Sequence, residues 1–252
     1  MISAILHYST IDFRFLEANL KQLSKFSSEI IISICDCLFG GQPENSFLIE
    51  ESLDIISKFP KAKVVYFEWE GLNKKPRYYH NLSRKLGTDK AKNEWLFFVD
   101  ADEIIDNNFG DWFETIKDTN NAYLLTCAWY FREPIYRADS YESNGLLVKK
   151  NDCNWDIDSN LEREQLYQKI WEEGRFFHGD ISPILGLDGN ILLHHYSWVR
   201  SKEEMLLKVK NWGHNNDRDW QSLIEEEFSR EFNGKDFVHG YTYTIVDNTF
   251  NL

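Results

Sequence analysis

Two kinds of apolar run alternate along the first hundred residues. "ISAILHYS" is short and almost unbroken, the pattern of a strand buried on both faces of a parallel sheet. Phe13, Leu16, Leu20, Leu23 and Phe26 then recur at three- and four-residue spacing, predicting a helix between Asp12, placed as its cap, and the Ser27-Ser28 break. "EIIISICDC" predicts a second strand, closed by the turn-forming "GGQPEN". Ile49, Leu53 and Ile56 mark a second helix and "AKVVYFEW" a third strand. A basic stretch from Lys74 to Lys92 gives a third helix and "EWLFFVD" a fourth strand.

Such alternation predicts an α/β fold with a doubly wound, mostly parallel sheet, in which ligands bind beyond the carboxyl ends of the strands. After Asp106 the regularity loosens. "NAYLLTCAWYF", "GLLVKK" and "ILLHHYSW" read as strands and "LEREQLYQKIWEEG" as a helix. "SKEEMLLKVKNWG" reads as a helix with a Ser201/Glu204 capping box and Gly213 beyond its end. No linker or internal repeat divides the chain, so one continuous domain is expected.

At 252 residues the chain is long enough for a large core, and aromatics at 15% are abundant. A formal charge of −13 argues against a general polyanion-binding surface. One basic run stands out: Lys74, Lys75, Arg77, Arg84, Lys85, Lys90 and Lys92 against the single acid Asp89. Cys35, Cys37, Cys127 and Cys153 lack the spacing of a disulfide framework or a zinc site, so free thiols are expected. "MISAILHYST" has no basic leader region, and no stretch approaches a membrane span, so the expected setting is reducing and cytoplasmic.

The leading chemical feature is "WLFFVDADEII", an apolar strand that runs into Asp100, Asp102 and Glu103. Two aspartates one residue apart at a strand end can address one Mg²⁺ or Mn²⁺, whose other ligands come from phosphate oxygens. Glu103 is expected to orient the loop instead of touching metal. "HYST" lacks the glycine pattern of a dinucleotide fold, and the chain has no phosphate-binding G-x-x-x-x-G-K-[ST] loop, G-x-S-x-G elbow or H-E-x-x-H helix.

Here the sequence resembles the GT-A-fold glycosyltransferases of the family 2 type, whose metal motif "LFFVDADE" approximates. "LLHHYSWVRSKEEMLLK" is similar to a strand and helix of bacterial members that decorate lipopolysaccharide cores. The likeness is good over residues 1–110 and moderate over 176–212. It implies a nucleotide-sugar-binding half (1–110) and an acceptor half with C-terminal helices (111–252). It implies that His7, Tyr8, Asp36, Arg84, Asp100 and Asp102 bind the donor, with Asp36 at the base. It also implies that His195, in preference to His194, joins Asp102 and Asp100 at the metal, and that Asp180 of "FFHGD" is the general base. Asp180 departs from the family's glutamate, so Glu172 and Glu173 are rivals.

The implied reaction is metal-dependent, inverting transfer of a sugar, UDP-hexose by default, to a hydroxyl of a glycan, small molecule or protein. Trp155, Trp171, Trp198 and Trp212 are candidate sugar-stacking faces. The competing expectations are transfer to a hydroxymethylated base of viral DNA, resting on the basic run, and a non-catalytic nucleotide-sugar or glycan-binding protein. A nucleotidyltransferase is disfavoured by the absence of a glycine-rich loop after the first strand. Trp220, Leu223, Ile224 and Phe228 predict an amphipathic helix in the tail, capping the acceptor site or forming a dimer contact.

Overall fold

The computed structural model describes residues 1–71, 73–211, 215 and 217–252. Trp212 and Gly213 lie outside the described residues. The first half is β1 (Ile2–Tyr8), α1 (Phe13–Phe26), β2 (Glu29–Cys35), α2 (Ser46–Ser57), β3 (Ala62–Phe67), α3 (Pro76–Lys90) and β4 (Trp95–Asp100). These four strands are parallel in the order β3-β2-β1-β4, the expected doubly wound α/β arrangement. β1 is buried along its whole length. Ile2, Ala4, Leu6 and Tyr8 pack towards α1 and α2, and Ile5 packs on the opposite face. Gly87 lets α3 lie close on that face, since a methyl group there would stand 2.3 Å from Ile5 Cγ2.

The second half adds β5 (Glu103–Ile105), α4 (Phe109–Ile116), β6 (Ala122–Phe131), β7 (Glu133–Lys149), α5 (Tyr167–Glu172), β8 (Phe176–His178) and β9 (Leu193–Trp198). It ends with α6 (Lys202–Asn211), α7 (Trp220–Glu227) and β10 (Tyr243–Ile245). The strands all join one sheet, which continues from β4 as β7-β6-β9-β5, with β8 on β6 and β10 on β7. Asp100 ends β4 and Glu103 opens β5, a reach of at most about 10 Å along the chain. The strand spacings from β4 through β7, β6 and β9 to β5 would cover about 19 Å in a flat sheet. The sheet therefore curls from β4 onward, and the turn carrying Asp102 joins β4 in its middle to β5 at its end.

Several local expectations change. Asp12 stands at the N-cap of α1 but makes no capping bond; its carboxylate pairs instead with Arg200. "LEREQLYQKIWEEG" is a 3₁₀ turn, Arg163–Leu166, followed by the short α5, because Glu162 and Arg163 turn inward to ion-pair. β7 is far longer than "GLLVKK"; its polar first part is held by pairing to β6 and β10. The Ser201/Glu204 capping box forms as expected.

Candidate functional site

A cavity of about 390 Å³ opens where β1, β2 and β4 end. At one end lie His7, Tyr8, Cys35, Cys37 and Phe39, and at the other Asp102, His195, Lys208, Glu142 and His239. β1 and β4 are in register with His7 opposite Asp100, so both strand ends open at one level.

The aromatic end is built by close ring packing. His7 stacks on Phe39 with centroids 5.5 Å apart, and His80 stands 4.9 Å from each. Burial and the neighbouring His80 push the His7 imidazole down to about 3, so it is neutral at physiological pH. Its Nδ1 meets Ser83 Oγ at 3.1 Å. Tyr8 is buried, its hydroxyl 2.5 Å from Ser52 Oγ. Asp36 is exposed at the end of β2, and its carboxylate accepts the Trp69 N–H at 2.7 Å.

The turn after β4 is over-determined. Asn19 of α1 donates to the carbonyls of Asp100, Ala101 and Glu103 at 3.2, 3.0 and 2.8 Å. Glu103 accepts the Asp100 N–H and takes Arg163 on both oxygens, at 2.7 and 2.9 Å. Glu103 is thus a support of the loop. Arg163 also meets Asp100 at 3.2 Å, as does Arg84, and Arg84 reaches Glu162 at 2.8 Å. Burial opposes the Asp100 charge, but Arg163 and Arg84 outweigh it and hold its pKa at about 2. Arg84 itself is buried and positions Asp100 and the 162–163 turn.

Asp102 points the other way. Its Oδ2 lies 3.4 Å from both Arg200 and Lys208, and its Oδ1 is 3.6 Å from His195 Nε2. Burial works against its charge, yet Lys208, His195 and Arg200 bring its pKa well below the carboxylate range. His195 Nδ1 is 2.6 Å from the Asn144 side chain, which fixes the ring. His194 lies on the opposite face of β9, between Tyr130 at 2.8 Å and Asp106 at 3.1 Å.

A divalent ion fits this donor set as a carboxylate oxygen and an imidazole nitrogen facing each other at coordination spacing, with the remaining positions left to phosphate oxygens. Asp100 is engaged by arginines, apart from that pair. Among the described residues no group of three or more His, Cys, Asp or Glu side chains converges as a self-sufficient metal centre.

Asp180 is exposed and accepts from Ser143 Oγ at 2.8 Å. Ser143 alternates along β7 with Glu142 and Asn144, which line the cavity. Glu172 and Glu173 lie at the exposed end of α5, where Glu173 pairs with Arg175. The carboxylate inside the cavity on the β7 side is Glu142. Burial is the main cause that raises its pKa to about 7.

Sequence reasoning missed Glu142, Arg163, Lys208 and His239; Lys208 closes the family-like string "LLHHYSWVRSKEEMLLK", and no motif marks the other three. The basic run is largely engaged at home: Lys74 pairs with Asp158, Arg77 binds the Asn160 carbonyl, and Lys85 pairs with Asp89. Trp155 and Trp198 are buried in the core and Trp171 is exposed on α5. The four cysteines are free. No helix among the described residues is long and apolar enough to cross a membrane.

No protein-family model matches this sequence, and no curated protein matches it. Solved structures with a similar chain course include a protein described as a glucose-1-phosphate thymidylyltransferase from Bacillus anthracis, in complex with sucrose. The match has 10% identity and a TM-score of 0.49, over 74% of this chain and 88% of that one. Residues 1–349 of S. aureus TarS match at 14% identity and a TM-score of 0.47, over 92% of this chain and 73% of that one. A longer S. aureus TarS chain matches at 13% identity and a TM-score of 0.49, over 90% of this chain and 42% of that one. The strand order and register define the fold class.

Proposed function

We propose that this protein is a glycosyltransferase of the GT-A, family 2 type, moving a sugar from a nucleoside diphosphate, UDP-hexose by preference, to an acceptor hydroxyl with inversion. The observation that carries it is one cavity holding an aromatic box at one end and the Asp102–His195 pair with Lys208 at the other. The flat faces of His7 and Phe39 suit a nucleobase, with Asp36 at the rim. The β1 and β4 ends suit the ribose and diphosphate.

In this reading Asp102 and His195 hold Mn²⁺ or Mg²⁺, which when bound supplies Lewis-acid neutralisation of the diphosphate leaving group. Lys208 reaches into the cavity from α6 and adds positive charge there. Arg84, Arg163 and Asn19 keep the β4 turn rigid, so the carboxylates need not reorganise during transfer. The acceptor enters from the Trp129, Glu142 and His239 side. Glycan and small-molecule hydroxyls suit that side, while the basic run of α3 has Lys74 paired with Asp158, Lys85 with Asp89 and Arg84 with Asp100 and Glu162. A cytoplasmic setting belongs to this proposal.

The test is thermal stabilisation by UDP, GDP and CDP, each with and without Mn²⁺. A metal-dependent shift for one diphosphate supports the reading. No shift with any of them refutes it.

A further inference from the structure

The acceptor hydroxyl must lose its proton as it attacks the sugar, so a carboxylate free to take a proton has to face it. Of the carboxylates lining the cavity, most are clamped by cations. Asp12 is held by Arg200, Asp100 by Arg84 and Arg163, Asp102 by Arg200 and Lys208, Glu103 by Arg163, and Glu162 by Arg84. Glu44, at the β1 end, is occupied by the Thr10 N–H and hydroxyl.

Glu142 differs. Among the described residues no arginine or lysine pairs with it. Its Oε1 lies 3.3 Å from His239 Nδ1, and the Tyr241 hydroxyl reaches it at 3.5 Å. Both neighbours come from the C-terminal tail, held in a turn by Asp236. One Asp236 oxygen accepts the Val238 and His239 N–H groups at 2.6 Å, and the other accepts the Tyr241 N–H and the Tyr243 hydroxyl at 3.0 and 2.9 Å. Trp129 stands edge-on between His195 and His239, with ring centroids 4.8 Å from each. The Glu142 carboxylate is therefore joined to the Asp102–His195 end through one aromatic wall.

We propose that Glu142 is the general base of transfer and that the 236–241 turn positions it. This rests on the glycosyltransferase reading. The acceptor oxygen's lone pair forms the new bond to the anomeric carbon, its proton passes to Glu142, and the bond to the β-phosphate oxygen breaks with its electrons leaving on the diphosphate. The groups facing Glu142 are His195 from β9, His239, Tyr241 and Asp236 from the tail, and Asp180 beyond Ser143.

The experiment compares wild type, Glu142→Gln, Glu142→Ala and Asp180→Asn, all as full chains. Nucleoside diphosphate release from UDP-glucose, UDP-N-acetylglucosamine and GDP-mannose is measured with Mn²⁺ and water as acceptor, alongside diphosphate binding. The expected result is a fall in kcat of about 100-fold or more in both Glu142 variants, with diphosphate affinity unchanged. Azide, which needs no deprotonation, should restore turnover to Glu142→Ala as a glycosyl azide. Turnover of Glu142→Gln within threefold of wild type, or loss confined to Asp180→Asn, overturns the assignment while the transferase reading stands. Wild-type binding without any cleavage also overturns it. No diphosphate binding by wild type removes the transferase reading itself.

Discussion

Asp102 Oδ1 faces His195 Nε2 across 3.6 Å, joining the turn after β4 to β9 on the far side of a curled sheet. The turn is tied to β9 directly, because Glu103 and His195 are register partners in the β5–β9 pair and the Tyr196 N–H donates to the Asp102 carbonyl at 2.8 Å. The pair is the point at which fold and proposed chemistry meet.

We predict that Asp102→Asn abolishes metal-dependent binding. Wild type at a diphosphate concentration 100 times its Kd should gain about 2.7 kcal/mol in the presence of Mn²⁺, and the variant should gain none. Thermal melts with UDP and Mn²⁺ check this; an undiminished shift in the variant would remove Asp102 from the site.

Arg163→Met should destabilise the fold by about 3–5 kcal/mol at pH 7, since it strips the buried Glu103 of its cation and leaves Asp100 with Arg84 alone. The pH dependence follows from Asp100, whose folded pKa of about 2 lies below its unfolded value. Its contribution is complete above the unfolded pKa of about 4 and is lost as pH falls towards 2. Urea melts should show wild type losing stability over that window, with a shallower loss in the variant. Parallel curves would show that Arg163 does not set the Asp100 charge.

Asn19→Ala should cost about 1–3 kcal/mol, because the carbonyls of Asp100, Ala101 and Glu103 lose a buried donor. Amide exchange in the 100–105 segment should speed up in the same variant. Unchanged exchange there would mean the arginines alone hold the turn.

His7 should stay neutral from pH 8 to pH 5, its folded pKa lying at about 3. Folding thus loses stability as pH drops from the unfolded value of about 6.5 towards 3, where the unfolded imidazole gains a proton and the folded one does not. Imidazole carbon chemical shifts followed by NMR give the answer directly; a midpoint near 6.5 would mean the ring is not enclosed.

The strand and helix alternation through β4 was legible because buried parallel strands and amphipathic helices leave periodic apolar patterns. Asp100 and Asp102 were legible because a strand end is a local feature; strand alternation showed that His194 and His195 face opposite ways, and the preference for His195 came from the family resemblance. Asp12 keeps the N-cap position without the capping bond, and the helix expected over 161–174 opens as a 3₁₀ turn, for one reason: charged side chains there satisfy distant partners, Arg200 for Asp12 and the β4 turn for Arg163. Glu142 sits in the polar part of β7, among residues with no pattern to separate it from a solvated strand.

By itself, then, the sequence determined the parallel half of the sheet, the carboxylate turn at its edge and the histidine strand that would face it. Only the tertiary structure decided which carboxylates of the cavity are clamped by cations and that Glu142 meets none of the described arginines or lysines. Periodicity records which way a side chain points within its own element. Ion pairing and desolvation depend on what the curled sheet and the C-terminal tail bring opposite it.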